Sequence, residues 1–411
     1  MNFRWFSHEF ERALHRPYVQ IVFGTRQCGK STLILDRLPA DALRINLARP
    51  GDLARLEARP EELVERCLAL PSRESAHVVF VDEAQRVPGI FDAVQFLHDE
   101  HRNRFRFVLC GSSARKLRAT GANLLPGRSM MHRLHPLVLP ELPAPEASAS
   151  PARLLPLPAV VPEHPLFPSW DLLDRLAFGA LPGVVTAAPE DRADLLRSYA
   201  EIYLEEEIRG EAAVRDLGAF RRFLQLAARE AGQPVNLSAL AQELGLTHPT
   251  VKSYYQILED IFVGIPLPAF TRSPRRSVLS TRRFLFFDLG VRHAAAGLRP
   301  GHDTVLANPG PVFEQWVGLE LWRRLQMLGE GSLSSFRTSD GAEIDFIIER
   351  AGRLIPVEVK FTEHPSLKDA RHLKRFLVEH ADEADEGYVI CRCPHPLKLA
   401  ENITALPWQA I

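Results

Sequence analysis

Nine residues, Gly24-Thr25-Arg26-Gln27-Cys28-Gly29-Lys30-Ser31-Thr32, come directly after the apolar run Tyr18-Val19-Gln20-Ile21-Val22-Phe23. The pattern is glycine, four free positions, glycine, lysine and a hydroxyl residue. That spacing lets backbone N–H groups wrap phosphate oxygens. Lys30 is then placed to reach the outer phosphates and the Ser31 hydroxyl to hold Mg2+. The whole stretch from Gly24 to Thr32 is expected to cradle ATP or GTP.

Binding alone does not hydrolyse; a metal-holding carboxylate and a proton acceptor are also needed. The run His77-Val78-Val79-Phe80-Val81 ends in Asp82-Glu83. Asp82 is expected to serve the Mg2+ and Glu83 to take the proton of the attacking water. The alternative is two acids that only cap the next helix. A further apolar run, Phe105 to Cys110, ends in Gly111-Ser112-Ser113. Ser112 or Ser113 could hydrogen-bond the water or the terminal phosphate, or simply cap a subsequent helix.

A second set of chemical residues lies near the C-terminal end. Asp345 sits in Glu343-Ile344-Asp345-Phe346-Ile347-Ile348, and Glu358 and Lys360 sit in Val357-Glu358-Val359-Lys360-Phe361. A hairpin symmetric about Ala351-Gly352 sets Asp345 opposite Glu358, with Cβ atoms about 5 Å apart. Strict alternation would put Ile344, Phe346 and Ile348 on one face and Glu343 and Asp345 on the other. Ile355, Val357, Val359 and Phe361 would share a face, leaving Glu358 and Lys360 opposite. Paired carboxylates with a lysine beside them suit a divalent cation. A polar sheet face closed by an acid–lysine contact is the alternative. Upstream, Phe313-Glu314-Gln315-Trp316-Val317-Gly318-Leu319-Glu320 offers Glu314 and Glu320 as further acids.

These groups need elements to carry them. Continuous apolar runs before the phosphate-loop residues and before Asp82 read as parallel strands buried on both faces, whose C-terminal ends present ligands. Ser31 to Leu38 reads as a helix aimed at the loop. Pro136 to Pro168 is rich in proline and reads as an extended connector or insertion. Leu195, Leu196, Tyr199, Ile202 and Tyr203 recur at helical spacing over Leu195 to Ile208. Asn236 to Leu246, then Thr247 to Leu258, read as two helices joined by a glycine turn. Thr250, Lys252, Ser253 and Gln256 point outward from the second, while Val251, Tyr255 and Leu258 point to the core. Beyond them lie Arg272, Arg275, Arg276, Arg282 and Arg283, able to contact DNA phosphates if this region is a wing. A helix-turn-helix that only packs, or that docks on protein, is the alternative.

Composition narrows the classes. The chain has 411 residues and a formal net charge of -1, which argues against nonspecific polyanion binding by the whole surface. Cys28, Cys67, Cys110, Cys391 and Cys393 lack paired C-x-x-C spacing, so a structural zinc is not expected and reduced thiols are. No uninterrupted apolar stretch nears membrane-spanning length, and the start lacks a signal-peptide core. The expectation is a cytoplasmic protein with no membrane partner.

The order of phosphate loop, acidic strand and polar-ended strand resembles AAA-type ATPases. Residues Tyr203 to Arg209, Ile257 to Asp260, Phe284 to Val291, Phe313 to Trp316, Glu343 to Phe346 and Val357 to Lys360 extend the likeness. Nearly the whole chain resembles prokaryotic AAA-family (AAA+) ATPases with a C-terminal domain of unknown function, itself similar to the PD-(D/E)xK nuclease core. The resemblance implies an α/β fold with a P-loop AAA+ domain (1–140), a proline-rich linker (141–168) and a helical lid (169–220). A winged-helix domain (221–283) and a mixed α/β nuclease-like domain (284–411) complete the chain. It implies ATP over GTP, Mg2+, and a homo-oligomer, with a hexameric ring as one form. In such a ring an arginine from one subunit meets the γ-phosphate of the next; Arg128 is the candidate by position, with Arg115 second. The expected activity is ATP hydrolysis driving action on DNA, branched DNA included. A nucleotide-operated switch in defence or stress, with a silent nuclease-like domain, is the runner-up.

Overall fold

A computed structural model describes residues 4–112, 125–141, 170–204, 206, 208, 216–272, 282–338 and 341–411. Ser113, Arg115, Arg275, Arg276 and nearly all of the proline-rich segment lie outside the described residues. The chain gathers into two units, Met1–Pro136 with Asp260–Phe262, and Leu137–Glu259 with Val263–Ile411.

In the first unit, α1 (Phe6–Leu14) precedes β1 (Val19–Phe23) and α2 (Lys30–Arg37). Then come β2 (Leu43–Asn46), α3 (Pro50–Ala58), α4 (Glu62–Leu68), β3 (His77–Asp82), α5 (Gly89–Glu100), β4 (Phe105–Gly111) and β5 (Ser129–Arg133). The strands form one parallel sheet in the order β2-β3-β4-β1-β5. Alternate residues serve opposite faces, as the two-residue strand period requires. Val79, Val81, Phe107 and Leu109 join Ile90, Val94 and Leu97 of α5. Val78, Phe80, Val108 and Cys110 join Phe10 of α1 and Leu33 and Ile34 of α2. Both faces are therefore covered, which is why these strands read as unbroken apolar runs. Because all five strands run the same way, the residues after β1, β3 and β4 emerge at one edge.

The second unit begins with α6 (Leu172–Phe178), α7 (Pro182–Val185) and α8 (Arg192–Ser198), which runs into a π-helical turn at Tyr199–Tyr203. A single regular helix over Leu195–Ile208, with Ile202 on its inner face, is not what forms. The wider turn rotates the residues beyond it. Ile202 is 53% exposed, and Leu204 and Ile208 are buried instead.

Next come α9 (Leu217–Arg229), α10 (Leu237–Leu244) and α11 (His248–Asp260). The Asn236 side chain caps α10 by accepting from Ala239 N–H, and Gly245 ends the helix in the left-handed conformation. Strands β6 (Gly264–Leu267) and β7 (Arg283–Phe286) pair antiparallel. Helices α12 (Leu289–Ala295), α13 (His302–Ala307) and α14 (Pro309–Leu328) lead to a six-stranded mixed sheet. Its strands are β8 (Ser332–Arg337), β9 (Glu343–Arg350), β10 (Arg353–Val359), β11 (Gly387–Cys391), β12 (Leu397–Ala400) and β13 (Ile403–Pro407), ordered β12-β13-β11-β10-β9-β8. Helix α15 (Arg371–Glu379) covers one face through Leu373, Phe376 and Leu377.

Strand β9 departs from strict alternation. Ser334 pairs with Ile347 and Phe336 with Ile344, so two steps on β8 meet three on β9. This bulge lets Ile344 and Ile347 both join the α15 core. Phe346, between them, instead reaches Gly318 of α14, where an added Cβ would come within 2.6 Å of its ring. The expected shared face of Ile344, Phe346 and Ile348 is therefore broken where Asp345 sits.

Candidate functional site: phosphate-loop edge and carboxylate cluster

At the end of β1 the chain turns through Gln27 and Gly29, with φ of 61° and 89°, before α2 starts at Lys30. Gly24 has no room for a side chain: a Cβ there would lie 2.2 Å from the Leu134 carbonyl oxygen. Arg4, buried, donates to the Cys28 carbonyl at 2.9 Å and to that of His135 at 2.5 Å, tying the loop to the chain beyond β5. Thr25, Cys28 and Lys30 are buried; Arg26 is half-buried and Gln27 exposed. Ser31 and Thr32 fall in the first turn of α2.

Lys30 curls back over the loop, its Nζ donating to the carbonyl oxygens of Gly24 and Thr25 at 2.8 Å each. Burial opposes the ammonium charge, yet Cys28, Cys110, Glu83 and Asp82 around it prevail, and its pKa is raised. The thiol of Cys110 is pushed well up, mainly by burial. A fixed cation, a helix N-terminus and the buried, unbonded hydroxyl oxygen of Thr25 suit a polyphosphate.

Asp82 ends β3, buried, and Glu83 comes next in the left-handed region at φ 56°, an uncommon conformation for glutamate. Ser112 stands one residue past β4, beside β3. Gln85, which no motif or spacing singles out, joins the two. Its Nε2 donates to Glu83 Oε2 at 2.5 Å and to Ser112 Oγ at 3.1 Å. The glutamine lies over Gly111, where a Cβ would approach its Oε1 to 2.5 Å.

Arg128 is not brought to this edge. It precedes β5, whose first residue Ser129 pairs with Val19, so it sits where β1 begins rather than where the loop starts. Its guanidinium donates to Asp99 at 2.6 Å and holds that carboxyl below the usual range. Any contact with a nucleotide would have to be made in another subunit.

In the second unit, Asp345, Glu358 and Glu314 are joined electrostatically. The β9–β10 register runs from Arg350↔Arg353 to Phe346↔Val357. Beyond it, the Asp345 carboxylate itself accepts Val359 N–H at 2.7 Å. Lys360 Nζ donates to Glu358 Oε1 at 2.6 Å, while Glu358 Oε2 is buried with no hydrogen-bond partner. Burial, then the Asp345 charge, pushes Glu358 up to about 8 and Glu314 up to about 7, against the pull of Lys360 and Arg283. Asp345 is also raised, chiefly by burial. Closely set acids with raised pKa values and an unbonded buried oxygen fit a divalent cation. The arrangement is incomplete for three carboxylates. Among the described residues, only Asp171, Asp174 and His302 offer three metal-ligating atoms all within 4.8 Å of one another.

Two sequence expectations change here. Arg283, read as a phosphate contact in a wing, is buried in β7; it donates to Glu314 at 2.6 Å and pairs with Glu343. Glu320, read as a spare acid, is buried and paired with Arg324 at 2.8 Å, and it accepts Leu139 N–H at 2.7 Å. Glu320 lies beside the buried Arg324, and Arg283 bridges two half-buried acids. Two other arginines of the expected wing are likewise engaged within the chain. Arg272 pairs with Glu383 and meets His380 Nδ1 at 3.1 Å; Arg282 pairs with Glu259 at 2.7 Å. On α11, Lys252, Ser253 and Gln256 are exposed and Thr250 half-buried, bonded to Thr247.

The parallel sheet with its loop defines a P-loop-type α/β unit, and comparison with known proteins agrees. Residues 16–142 match the family described as AAA domain, which supports an AAA-type ATPase. Residues 169–302 and 309–411 match two domains of unknown function, DUF8612 and DUF4143. An uncharacterized protein of Mycobacterium tuberculosis is 26% identical over 403 residues, 97% of this chain and 82% of that one. An uncharacterized protein of Haemophilus influenzae is 23% identical over 359 residues, 84% and 82% of the two chains. Among solved structures, a DNA polymerase III gamma subunit-related protein of Thermotoga maritima is 12% identical. It covers 62% of this chain and 97% of that one at a TM-score of 0.26, too loose a likeness to carry an argument. Among the described residues no helix is long and apolar enough to cross a membrane.

Proposed function

We propose that the chain binds and hydrolyses ATP with Mg2+ and uses the cycle to act on DNA. The observation that carries this reading is the meeting of Lys30, Asp82, Glu83 and Ser112 at one edge of a parallel sheet. Loop residues 24–32 hold the phosphates, and Lys30 offsets their charge. Ser31 and Asp82 hold the Mg2+, which when bound draws charge from the phosphate oxygens. Glu83 takes a proton from water as the water oxygen bonds the terminal phosphorus. The bond from that phosphorus to the bridging oxygen breaks, and ADP leaves with the bridging oxygen. Arg128 of a neighbouring subunit is the candidate for the charge developing there, in a ring whose size is open.

DNA action rests on α11, with the exposed Lys252 and Ser253 and the half-buried Thr250, and on the basic sequence that holds Arg272, Arg275 and Arg276. ATPase activity stimulated by DNA, and lost when Lys252→Glu is combined with Arg275→Glu, tests this reading. Indifference to DNA overturns it.

A second reading is favoured by the pairing of Arg272, Arg282 and Arg283 with internal acids, and by Glu314 being held by Arg283. In that reading the chain is a nucleotide-operated switch whose nuclease-like domain binds a partner without cutting. Mg2+-dependent DNA cleavage lost in Asp345→Ala and Glu358→Ala would exclude it.

A further inference from the structure

Helix α11 ends on a residue that its own backbone geometry disfavours. Val263 N–H donates back to the Leu258 carbonyl at 2.9 Å, which leaves Phe262, just past the helix, in the left-handed conformation at φ 63°. Glycine is the usual residue at that point, and α10 ends on one. There Leu246 N–H donates to the Ala241 carbonyl at 2.9 Å across Gly245, at φ 65°. A bulky side chain is sterically disfavoured in this region, so a phenylalanine held there points to a task for its ring. The ring packs within the first unit, to which Asp260–Phe262 belong. It lies against Phe23, centroids 6.0 Å apart, and the Arg133 guanidinium sits 4.2 Å above its centre.

Phe23 ends β1, Arg133 ends β5, and the two are paired across the sheet. Each immediately precedes one half of the floor beneath the phosphate loop. Gly24 follows Phe23, and Leu134, whose carbonyl leaves Gly24 no room for a side chain, follows Arg133. Leu134 N–H donates to the Phe23 carbonyl at 2.8 Å, closing that floor. The Phe23 ring also reaches Gly111 at the end of β4, where an added Cβ would meet it at 3.5 Å. Phe262 itself lies outside residues 16–142, which match the AAA family, and inside residues 169–302, which match a domain of unknown function. We propose that Phe262 is a positioning residue for nucleotide binding, its ring bracing the ends of β1 and β5 so that the phosphate loop keeps its shape. The inference rests on the nucleotide-binding reading above. Glycine at this position would suit the helix end better but would leave Phe23 and Arg133 without a common wall. Gly24 is so tightly seated that small drift of either strand end turns the loop N–H groups away from phosphate oxygens. The ring therefore acts on affinity for the phosphates, not on Asp82 and Glu83, which stand at the end of β3.

The test uses the full chain as wild type, Phe262→Gly, Phe262→Leu and Phe262→Tyr. Binding of fluorescent ATP and ADP analogues, steady-state ATP hydrolysis and thermal melting are measured for each. Phe262→Gly supplies the residue that the turn favours and removes the ring. It is expected to weaken ATP and ADP at least tenfold and by the same factor, to raise KM in step, and to leave kcat at saturating ATP within threefold. Phe262→Leu keeps apolar bulk without a ring face and is expected to weaken both nucleotides at least threefold. Phe262→Tyr retains the ring and is expected to stay within twofold of wild type. Should Phe262→Gly give no cooperative melt, Phe262→Leu decides the matter. Wild-type affinities in a folded Phe262→Gly or Phe262→Leu variant, a loss confined to ATP, or a fall in kcat at unchanged affinity overturns the inference and leaves the ring a packing group only. A wild-type chain that takes up neither nucleotide sinks the nucleotide-binding reading itself, a separable failure.

Discussion

Arg283 of β7 donates to Glu314 of α14 at 2.6 Å, and the same guanidinium is paired with Glu343 at the start of β9. One buried cation therefore holds two of the three acids around Asp345, and Lys360 holds the third, Glu358. Removing one member of a buried pair commonly costs about 3 kcal/mol or more, and the partial exposure of Glu314 and Glu343 lowers that figure here. Arg283→Gln is expected to lower the melting temperature by several degrees. It is also expected to tighten Mn2+ binding severalfold in calorimetry, since Glu314 becomes available as a ligand. Unchanged or weaker Mn2+ binding in a folded variant would show that Glu314 has no part in a cation site.

Glu358→Gln addresses the same cluster from the other side. It replaces a carboxyl that burial already pushes up to about 8 with a neutral amide of the same shape, so the apo protein is expected to keep its stability while the heat of Mn2+ binding disappears. Loss of stability together with intact Mn2+ binding would count against a metal role.

At the ATPase edge, Lys30→Ala and Glu83→Gln should separate binding from chemistry. Lys30→Ala is expected to weaken ATP binding at least tenfold. Glu83→Gln should retain binding while hydrolysis falls about 100-fold or more, the usual worth of a positioned base. Equal loss of binding in both would remove Glu83 from the chemical step.

His293 carries a pH signature. It is fully buried, donates from Nε2 to the Leu176 carbonyl at 3.0 Å, and is held at a pKa of about 4, by burial first and by Arg292 second. The unfolded side chain titrates near 6.5, so unfolding takes up a proton in between. The folded state's preference for neutral imidazole is fully expressed above pH 6.5 and lost as pH falls toward 4. The change amounts to about 3 kcal/mol over that window. His293→Gln is expected to flatten the dependence of melting temperature on pH between 6.5 and 4; an unaltered slope would assign the acid sensitivity elsewhere.

The parts of the fold that could be read from residues alone are those governed by local rules. Val78 to Val81 and Phe105 to Cys110 are continuous apolar runs because both faces of a parallel strand are covered. The helix ending at Gly245 was legible because a glycine in the left-handed conformation stops α10 there. The hairpin sum that matches Phe346 with Val357 comes from a two-residue turn at Ala351-Gly352, both at positive φ. What stayed hidden depends on long-range partners. Nothing near Arg283 in sequence announces Glu314 or Glu343, and the π-helical turn that sends Ile202 outward has no mark in the apolar spacing. The bulge at Asp345 exists only relative to β8. Gln85 acquires its partners because β3 and β4 are neighbours, although Ser112 is 27 positions away in sequence.

The carbonyl of Leu134 beneath Gly24, and the Arg4 side chain spanning Cys28 and His135, mean that the nucleotide-binding turn is a joint product of three stretches of chain. A recombinant fragment ending at Ser112 would hold every residue of the phosphate-binding signature together with both acids of β3. It would nevertheless lack the floor on which that turn rests. Transplanting the nine signature residues into another scaffold should fail for the same reason, unless an equivalent floor is carried with them.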